Sequence, residues 1–260
     1  MPLILLFLTM NLRFSLRPLL LFSGLFLINC QSAFSQISAK DLPVSRYGLP
    51  VIRGKEVYER MVRSDRENEL LDMRLLLPSA KFDVTYAGEN NFLKRRIYPT
   101  ADLFMRAPAA RALVDVAKRL KKQGYGLLLF DGYRPYSVTE LFYEEIRDTT
   151  FVADPRKGSK HNRGMAIDLT LTNLKTGLPV PMPSGYDEAT ERAYHDYTGG
   201  DSEALRNRKI LRDAMEAEGF QIFRYEWWHY DFKGWEKCMT YDLWHEDIRS
   251  INSLFKGLKK

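Results

Sequence analysis

The apolar positions of this chain fall into a few short patterns of distinct period. In "PAARALVDVAKRLKK" (108–122), Ala109, Ala112, Leu113, Val116, Ala117 and Leu120 share one helical face. Pro108 suits the first turn, where a missing N–H costs nothing, and Gly124 predicts the stop. "YGLLLFD" (125–131) is an apolar run between Gly124 and Gly132 and reads as a buried strand. "SVTE" (137–140) has the form of a capping box and predicts a helix to about Arg147. "AIDLTLTN" (166–173) alternates as a strand does, "NLKTG" predicts a turn and "LPVPM" a returning strand. A second long helix is expected from Ser202 to Glu218, with Leu205, Leu211, Ala214 and Met215 inward and Gly219 at its end. "FQIFRYEWWHYDF" (220–232) reads as one long strand.

Before these elements, "KFDVTYAG" alternates like a half-buried strand and "ENNFLKRRIYP" reads as a loop. The rest of residues 36–80 reads as irregular with short strand-like pieces, and the tail after 233 carries no placeable motif. No internal repeat, low-complexity linker or long charge run divides residues 36–260. The order of elements predicts one α+β domain: a small, mostly antiparallel sheet with helices packed on one side.

Residues 1–35 follow a different rule. "LRPLLLFSGLFLIN" is an apolar run preceded by Arg13, with Arg17 inside it, and no acidic residue occurs before Asp41. Ala33 and Ser35 stand at the −3 and −1 positions of a cut before Gln36, which is the form of a signal peptide. The run falls short of the roughly 20 residues of a stable membrane span, although a retained anchor helix is the alternative. Met10 opens a more conventional leader than Met1. "LINC" resembles a bacterial lipoprotein cleavage box, with Asn29 in place of the usual small residue, so a lipid anchor at Cys30 stays open beside cleavage before Gln36. Either route predicts an exported protein, periplasmic or associated with the cell envelope.

Loss of residues 1–35 removes two arginines and no acid, so the net charge of +6 becomes +4. Cys238 is then the only cysteine, which excludes an internal disulfide. A core of about 225 residues rests on apolar burial alone. The apolar share of 45% and charged share of 28% are those of an ordinary globular protein. The basic residues are scattered, with no block interleaved with aromatics, so no nucleic-acid partner is expected. Composition says nothing about oligomeric state.

Of four histidines, His161 and His229 lie beside acids in suggestive contexts. "SKHNRGMAIDLTL" (159–171) holds His161 and Asp168 around a glycine loop at the start of a strand. "YEWWHYDF" holds His229, with Glu226 three residues earlier. A hydrolytic zinc site needs three protein ligands and one open position. His161, Asp168 and His229 would supply the ligands and Glu226 the general base. In a flat strand an odd spacing points Glu226 and His229 to opposite faces, so this reading requires a bulge or strand end at Trp227 or Trp228. The plain alternative is a satisfied histidine in an aromatic core strand. His195 and His245 are expected at the surface or an interface.

Taken together, these stretches resemble the two signatures of the zinc D-Ala-D-Ala peptidases. "GYGLLLFDGYRP" (124–135), "PMPSGYDEATERAYH" (181–195) and "VTYAGENNF" (84–92) are similar to the dipeptidase branch, the type found in vancomycin-resistance clusters. The resemblance covers roughly residues 82–232. It implies a Hedgehog-like zinc peptidase fold, one Zn2+ per chain, and His161, Asp168 and His229 as its ligands with Glu226 as base. Arg134 matches an arginine that stabilises the tetrahedral intermediate, Ser159 a substrate-contacting serine and Asp187 the acid receiving the substrate's amino group. Tyr86 and Tyr98 match tyrosines near the substrate. The implied reaction is hydrolysis of the D-Ala-D-Ala dipeptide in wall-peptide turnover or salvage. A D,D-carboxypeptidase or endopeptidase on longer wall peptides, and a zinc module without catalysis, are the alternatives. The export signal departs from resistance-type relatives, which are expected in the cytoplasm.

Overall fold

The computed structural model describes residues 38–149 and 151–256; the predicted export signal, Cys30 and the cut before Gln36 lie outside them. Among the described residues the strands are β1 (Val51–Ile52), β2 (Leu70–Asp72), β3 (Lys81–Phe82), β4 (Phe104–Arg106), β5 (Tyr125–Asp131), β6 (Ala166–Asn173), β7 (Phe220–Phe223), β8 (Glu226–Phe232) and β9 (Thr240–Tyr241). The helices are α1 (Lys55–Ser64), α2 (Met73–Leu76), α3 (Ala107–Lys121), α4 (Tyr136–Ile146), α5 (Ser202–Ala217) and α6 (His245–Lys256).

Strand alternation separates a packing face from a chemical face. The central sheet has the order β3-β5-β6-β8-β7. Only β3–β5 is parallel; the other pairings are antiparallel. Leu127 and Leu129 of β5, Ile167, Leu169 and Leu171 of β6, and Tyr230 of β8 join Leu113, Val116 and Leu120 of α3 and Leu211, Ala214 and Met215 of α5 in one buried core. Each Leu, Ile, Val or Met among them contributes about 1.5–3 kcal/mol by leaving water. The intervening positions carry Asp168 on β6 and His229 and Asp231 on β8. The mostly antiparallel α+β fold is as the pattern predicts.

Several elements differ from their sequence signals. The predicted long strand over 220–232 is a hairpin, β7 and β8, turning at Arg224–Tyr225; that turn carries none of the Asn or Gly that marks a two-residue connection. "LPVPM" forms no strand, only a bridge from Thr172 to Pro179, because its prolines lack ladder donors. The "KFDVTYAG" strand is two residues long and gives way to a 3-10 turn at Thr85–Ala87. "SVTE" is no capping box. α4 starts one residue before Ser137, and the Ser137 N–H donates to Asp242 Oδ1 (2.9 Å), a cap from a distant segment.

The stretches without motifs build a second core. Tyr58, Met61 and Val62 of α1 pack with Ile248, Ile251 and Phe255 of α6 around Tyr133. The Tyr133 hydroxyl donates to the Leu243 carbonyl (3.0 Å) and accepts from the Leu243 N–H (2.9 Å). His245 is fully buried here, contrary to the surface position expected. Its ring meets Tyr98, Phe104 and Tyr133, its Nε2–H donates to the Tyr133 carbonyl, and burial lowers its pKa. His195 is buried as well, edge-on to Tyr230, and burial brings its pKa down to about 4.

Arg106 joins the two cores to the 159–165 loop: its Nε donates to the Arg163 carbonyl (2.8 Å), its Nη1 to Asn68 and its Nη2 to the Met239 carbonyl. Its own N–H donates to the Gly164 carbonyl (2.8 Å). Gly164 has φ +65°, and a Cβ there would stand 2.8 Å from Arg106 N and 2.5 Å from Leu70 Cδ2. Gly164→Ala is expected to cost about 2–4 kcal/mol through strain and overpacking, read as a lowered urea midpoint. An unshifted midpoint would show that the loop relaxes freely.

Candidate metal centre and active site

β6 and β8 are paired with Asp168 opposite His229. The loop before β6 folds into a 3-10 turn, His161–Arg163, that returns His161 to the same point. Three donor atoms meet there: His229 Nδ1 is 2.9 Å from Asp168 Oδ1 and 3.2 Å from His161 Nε2, which is 3.4 Å from the same Oδ1. A tetrahedral ion at zinc–ligand distances of about 2.0–2.1 Å spaces its ligands about 3.3 Å apart. The triangle, all three residues buried, fits that ion.

Each ligand is held from behind. His161 Nδ1–H donates to the Gly132 carbonyl (2.7 Å), which directs Nε2 into the triangle. His229 Nε2–H donates to Asp231 Oδ1 (2.9 Å), directing Nδ1 inward. The Tyr186 hydroxyl donates to Asp168 Oδ2 (3.0 Å), leaving Oδ1 for the ion. Such partners orient ligands and raise their basicity.

Glu226 meets the geometric condition set by its spacing. The β7–β8 register shifts between Ile222↔Tyr230 and Phe223↔Glu226, so residues 227–229 are unpaired with β7. Across this irregularity Glu226 and His229 come to one side, with Glu226 Oε2 3.9 Å from His229 Nδ1. Trp227 and Trp228 are buried, and Trp227 Nε1–H donates to Ser184 Oγ. Glu226 thus stands beside the ligand triangle, where a general base needs to be.

The remaining residues divide into cavity wall and support. A cavity of about 480 Å3 is lined by the ligands, Glu226, Arg134, Ser159, Asp187 and Tyr86, among others. Arg134 is gripped by Asp131: Nε and Nη2 both donate to Oδ2, at 2.9 and 2.7 Å. The Tyr86 hydroxyl donates to Asp187 Oδ2 (3.1 Å), and Asp187 takes φ +58° to reach it. Ser159 is buried, and its Oγ accepts the His161 N–H (3.1 Å), shaping the ligand turn. Tyr98 does not reach the cavity, contrary to the substrate contact expected of it. It is fully buried and donates to Asp131 Oδ1 (2.9 Å) from behind, a support for Arg134.

Three supports escaped the sequence reading. Asp231 lies two residues after His229 on the same strand face and was legible from that period. Asp131, three residues before Arg134, and Tyr186, beside Asp187, carried no periodic signal.

Burial and like charge set the electrostatics. Burial opposes charge on Asp168, yet His161 and His229 outweigh it and hold the carboxyl well below the usual range. Burial, with Asp168 and Glu226 adding to it, pushes Asp187 up to about 8. Burial pushes Glu226 up to about 7 against the pull of His229. Burial opposes a charged His229, but Asp231 and Asp168 on its two sides prevail and raise it to about 10. Burial opposes the charge on Arg134, and Asp131 together with Tyr86, Tyr98 and Asp168 more than offsets it, so the guanidinium stays charged.

The family described as D-Ala-D-Ala dipeptidase matches residues 66–248. The chain belongs to that family. The dipeptidase match runs wider than the motifs, from the second core's α1–β2 connection into α6. The chain is 36% identical over 184 residues to the D-alanyl-D-alanine dipeptidase of Enterococcus faecalis, covering 63% of this chain and 91% of that one. It is 34% identical over 175 residues to the dipeptidase of Enterococcus faecium (60% and 87%). The Escherichia coli dipeptidase is 32% identical over 163 residues (63% and 84%). As a member of this metallopeptidase family the protein is a zinc enzyme, consistent with the donor set of the triangle.

In the metal-free protein a proton on His229 occupies the place of the ion, and zinc must displace it. Apparent zinc affinity is therefore expected to climb with pH towards about 10, read by chelator competition. The raised value also contributes stability that is complete below the unfolded histidine value of about 6.5 and is lost as pH rises through about 10. Zinc should thus stabilise the fold increasingly on the alkaline side. An affinity flat across this window would remove the proton from the site. Asp231→Asn is expected to weaken zinc by about 10–100-fold in the same titration.

Proposed function

We propose that the protein hydrolyses the dipeptide D-Ala-D-Ala to free D-alanine outside the inner membrane, in wall-peptide turnover or D-alanine salvage. The observation that carries this reading is Glu226, brought beside the His161–Asp168–His229 triangle by the irregularity in β8, together with a cavity whose wall includes the bonded pair Asp187 and Tyr86.

His161, Asp168 and His229 would hold the zinc ion, which when bound would supply Lewis acidity to the scissile carbonyl and to a water. Glu226 takes the proton of the attacking water and delivers it to the leaving amine nitrogen. Its raised pKa suits both halves of that transfer. Arg134, fixed by Asp131, faces the oxygen on which charge develops. Asp187, with Tyr86 behind it, receives the substrate's ammonium; that cation offsets the burial and the like charges that together raise Asp187. Ser159 completes the wall next to His161. Residues 1–35 carry the export reading, and Cys30 is the anchor point if the lipoprotein route is taken. At that location the enzyme meets wall-derived peptides and not the cytoplasmic pool of precursor.

The test is D-alanine release from D-Ala-D-Ala by the zinc-loaded protein beginning at Gln36, beside Glu226→Gln. Turnover is expected in the parent and a loss of about 10^2–10^4-fold in kcat in the variant, with zinc content retained. Release from a pentapeptide ending in D-Ala-D-Ala, with none from the dipeptide, would replace this reading with a D,D-carboxypeptidase. Arg134→Met is expected to lower kcat by about 10^2–10^3-fold; a change confined to KM would assign Arg134 to ground-state binding.

A further inference from the structure

A zwitterionic dipeptide brings a carboxylate as well as an ammonium, and the cavity is poor in places for it. Asp168, Asp187 and Glu226 line the wall. Asp131 and Asp231 stand directly behind it, bonded to Arg134 and His229. An entering carboxylate is repelled unless a free cation receives it. The lining offers three non-histidine cations: Arg134, Lys157 and Lys160. Arg134 is committed to Asp131 through two of its nitrogens, and Lys157 is exposed at the rim.

Lys160 is placed differently. It immediately precedes the ligand His161, and its carbonyl accepts the Arg163 and Met165 N–H groups (3.0 and 3.1 Å), so its backbone is fixed. Its stem is half-buried, and its ammonium lies over two rings, 5.6 Å from the Phe223 centroid and 5.2 Å from that of Trp235. The ring faces hold the cation in place but accept no conventional hydrogen bond from it. Its ion pair with Asp231 Oδ2 spans 3.4 Å, and Asp231 is already bonded to His229 through Oδ1. That 3.4 Å approach to Asp231 is the one carboxylate contact of the ammonium among the described residues, so of its three donors at least two are available to a ligand. The Asp231–Lys160 pair lies on the Nε2 side of His229, whereas Asp168 and Glu226 lie on its Nδ1 side. Among the acids that raise Asp187 are Asp168 and Glu226.

We propose that Lys160, caged by Phe223 and Trp235, receives the free α-carboxylate of the substrate and restricts the enzyme to peptides that end at the residue following the cleaved bond. This rests on the dipeptidase reading: Asp187 takes one charged end of the substrate and Lys160 the other.

The experiment measures kcat/KM for D-Ala-D-Ala and for its C-terminal amide, which lacks the negative charge. It is run on the zinc-loaded enzyme and on Lys160→Met and Lys160→Arg, with zinc content determined for each. Methionine keeps an apolar stem between the two rings. The parent is expected to favour the acid over the amide, and Lys160→Met to reduce that ratio by about ten- to a hundred-fold, mainly through KM. Lys160→Arg should keep most of the preference. An equal fall on both substrates, or a fall in zinc content, would overturn the assignment and make Lys160 a support of Asp231 and His229. A parent that does not distinguish acid from amide overturns it as well. If the parent cleaves neither dipeptide, the dipeptidase reading fails by itself, and the same acid and amide pair on a pentapeptide decides Lys160: a ratio lost in Lys160→Met upholds it, an unchanged ratio ends it.

Discussion

Besides Asp154, which Arg156 pairs, five carboxylates, of Asp131, Asp168, Asp187, Glu226 and Asp231, stand in or directly behind one half-closed cavity, and the surrounding structure answers that concentration of like charge. At the effective dielectric of a protein interior, two such charges about 4 Å apart repel by several kcal/mol. Each acid therefore has a defined answer. Arg134 and Tyr98 answer Asp131, and the two imidazoles and Tyr186 answer Asp168. Asp231 is answered by His229 and Lys160. Asp187 and Glu226 are buried without a bonded cation, and burial, with the neighbouring acids adding to it, raises their pKa values to about 8 and about 7. A dication and an ammonium ion are what this cavity lacks. On the proposed function, the same deficit suits both the metal and the amino end of the substrate.

That arrangement persists only if the acids cannot move apart, and the sheet sees to this. Asp131 and Asp168 face each other across the β5–β6 pairing, and Asp168 and His229 across β6–β8. The opposite face of the same strands is the leucine-rich packing against α3 and α5. A slip of one residue would turn the chemical side chains into that core and the leucines into the cavity. Register and site are one constraint, and the hydrophobic alternation enforces it.

This explains which features were legible in the sequence. α3, α5, β5 and β6 were readable because a periodic apolar face defines each. The metal triangle was readable because its members sit at the strand pairing and on one short turn. The odd Glu226–His229 spacing even announced that β8 must be irregular. What stayed hidden has no periodic cause. The β7–β8 turn at Arg224–Tyr225 carries no turn residue. The α4 cap comes from Asp242, about a hundred positions away. His245 looks like any polar residue until three aromatic rings surround it. Tyr98 was placed near the substrate by the family resemblance, through a match that depends on spacing across a loop, whereas its hydroxyl is directed to Asp131.

The motifless termini of the domain then acquire a reason. His245, the first residue of α6, packs its ring 4.8 Å from that of Tyr98, and Tyr98 bonds the carboxylate that grips Arg134. Through Nε2 the same histidine holds the Tyr133 carbonyl, next in the chain to Arg134. α6 itself is fixed against α1 by Ile248, Ile251 and Phe255. A continuous run of packed side chains thus leads from the second core to the guanidinium, and misplacing a reacting group by about 1 Å can cost a hundred-fold in rate. The tail after residue 233 and much of residues 36–80 carry no chemistry of their own because their contribution is position: they hold in place the arginine that the acids of the cavity would otherwise draw out of line.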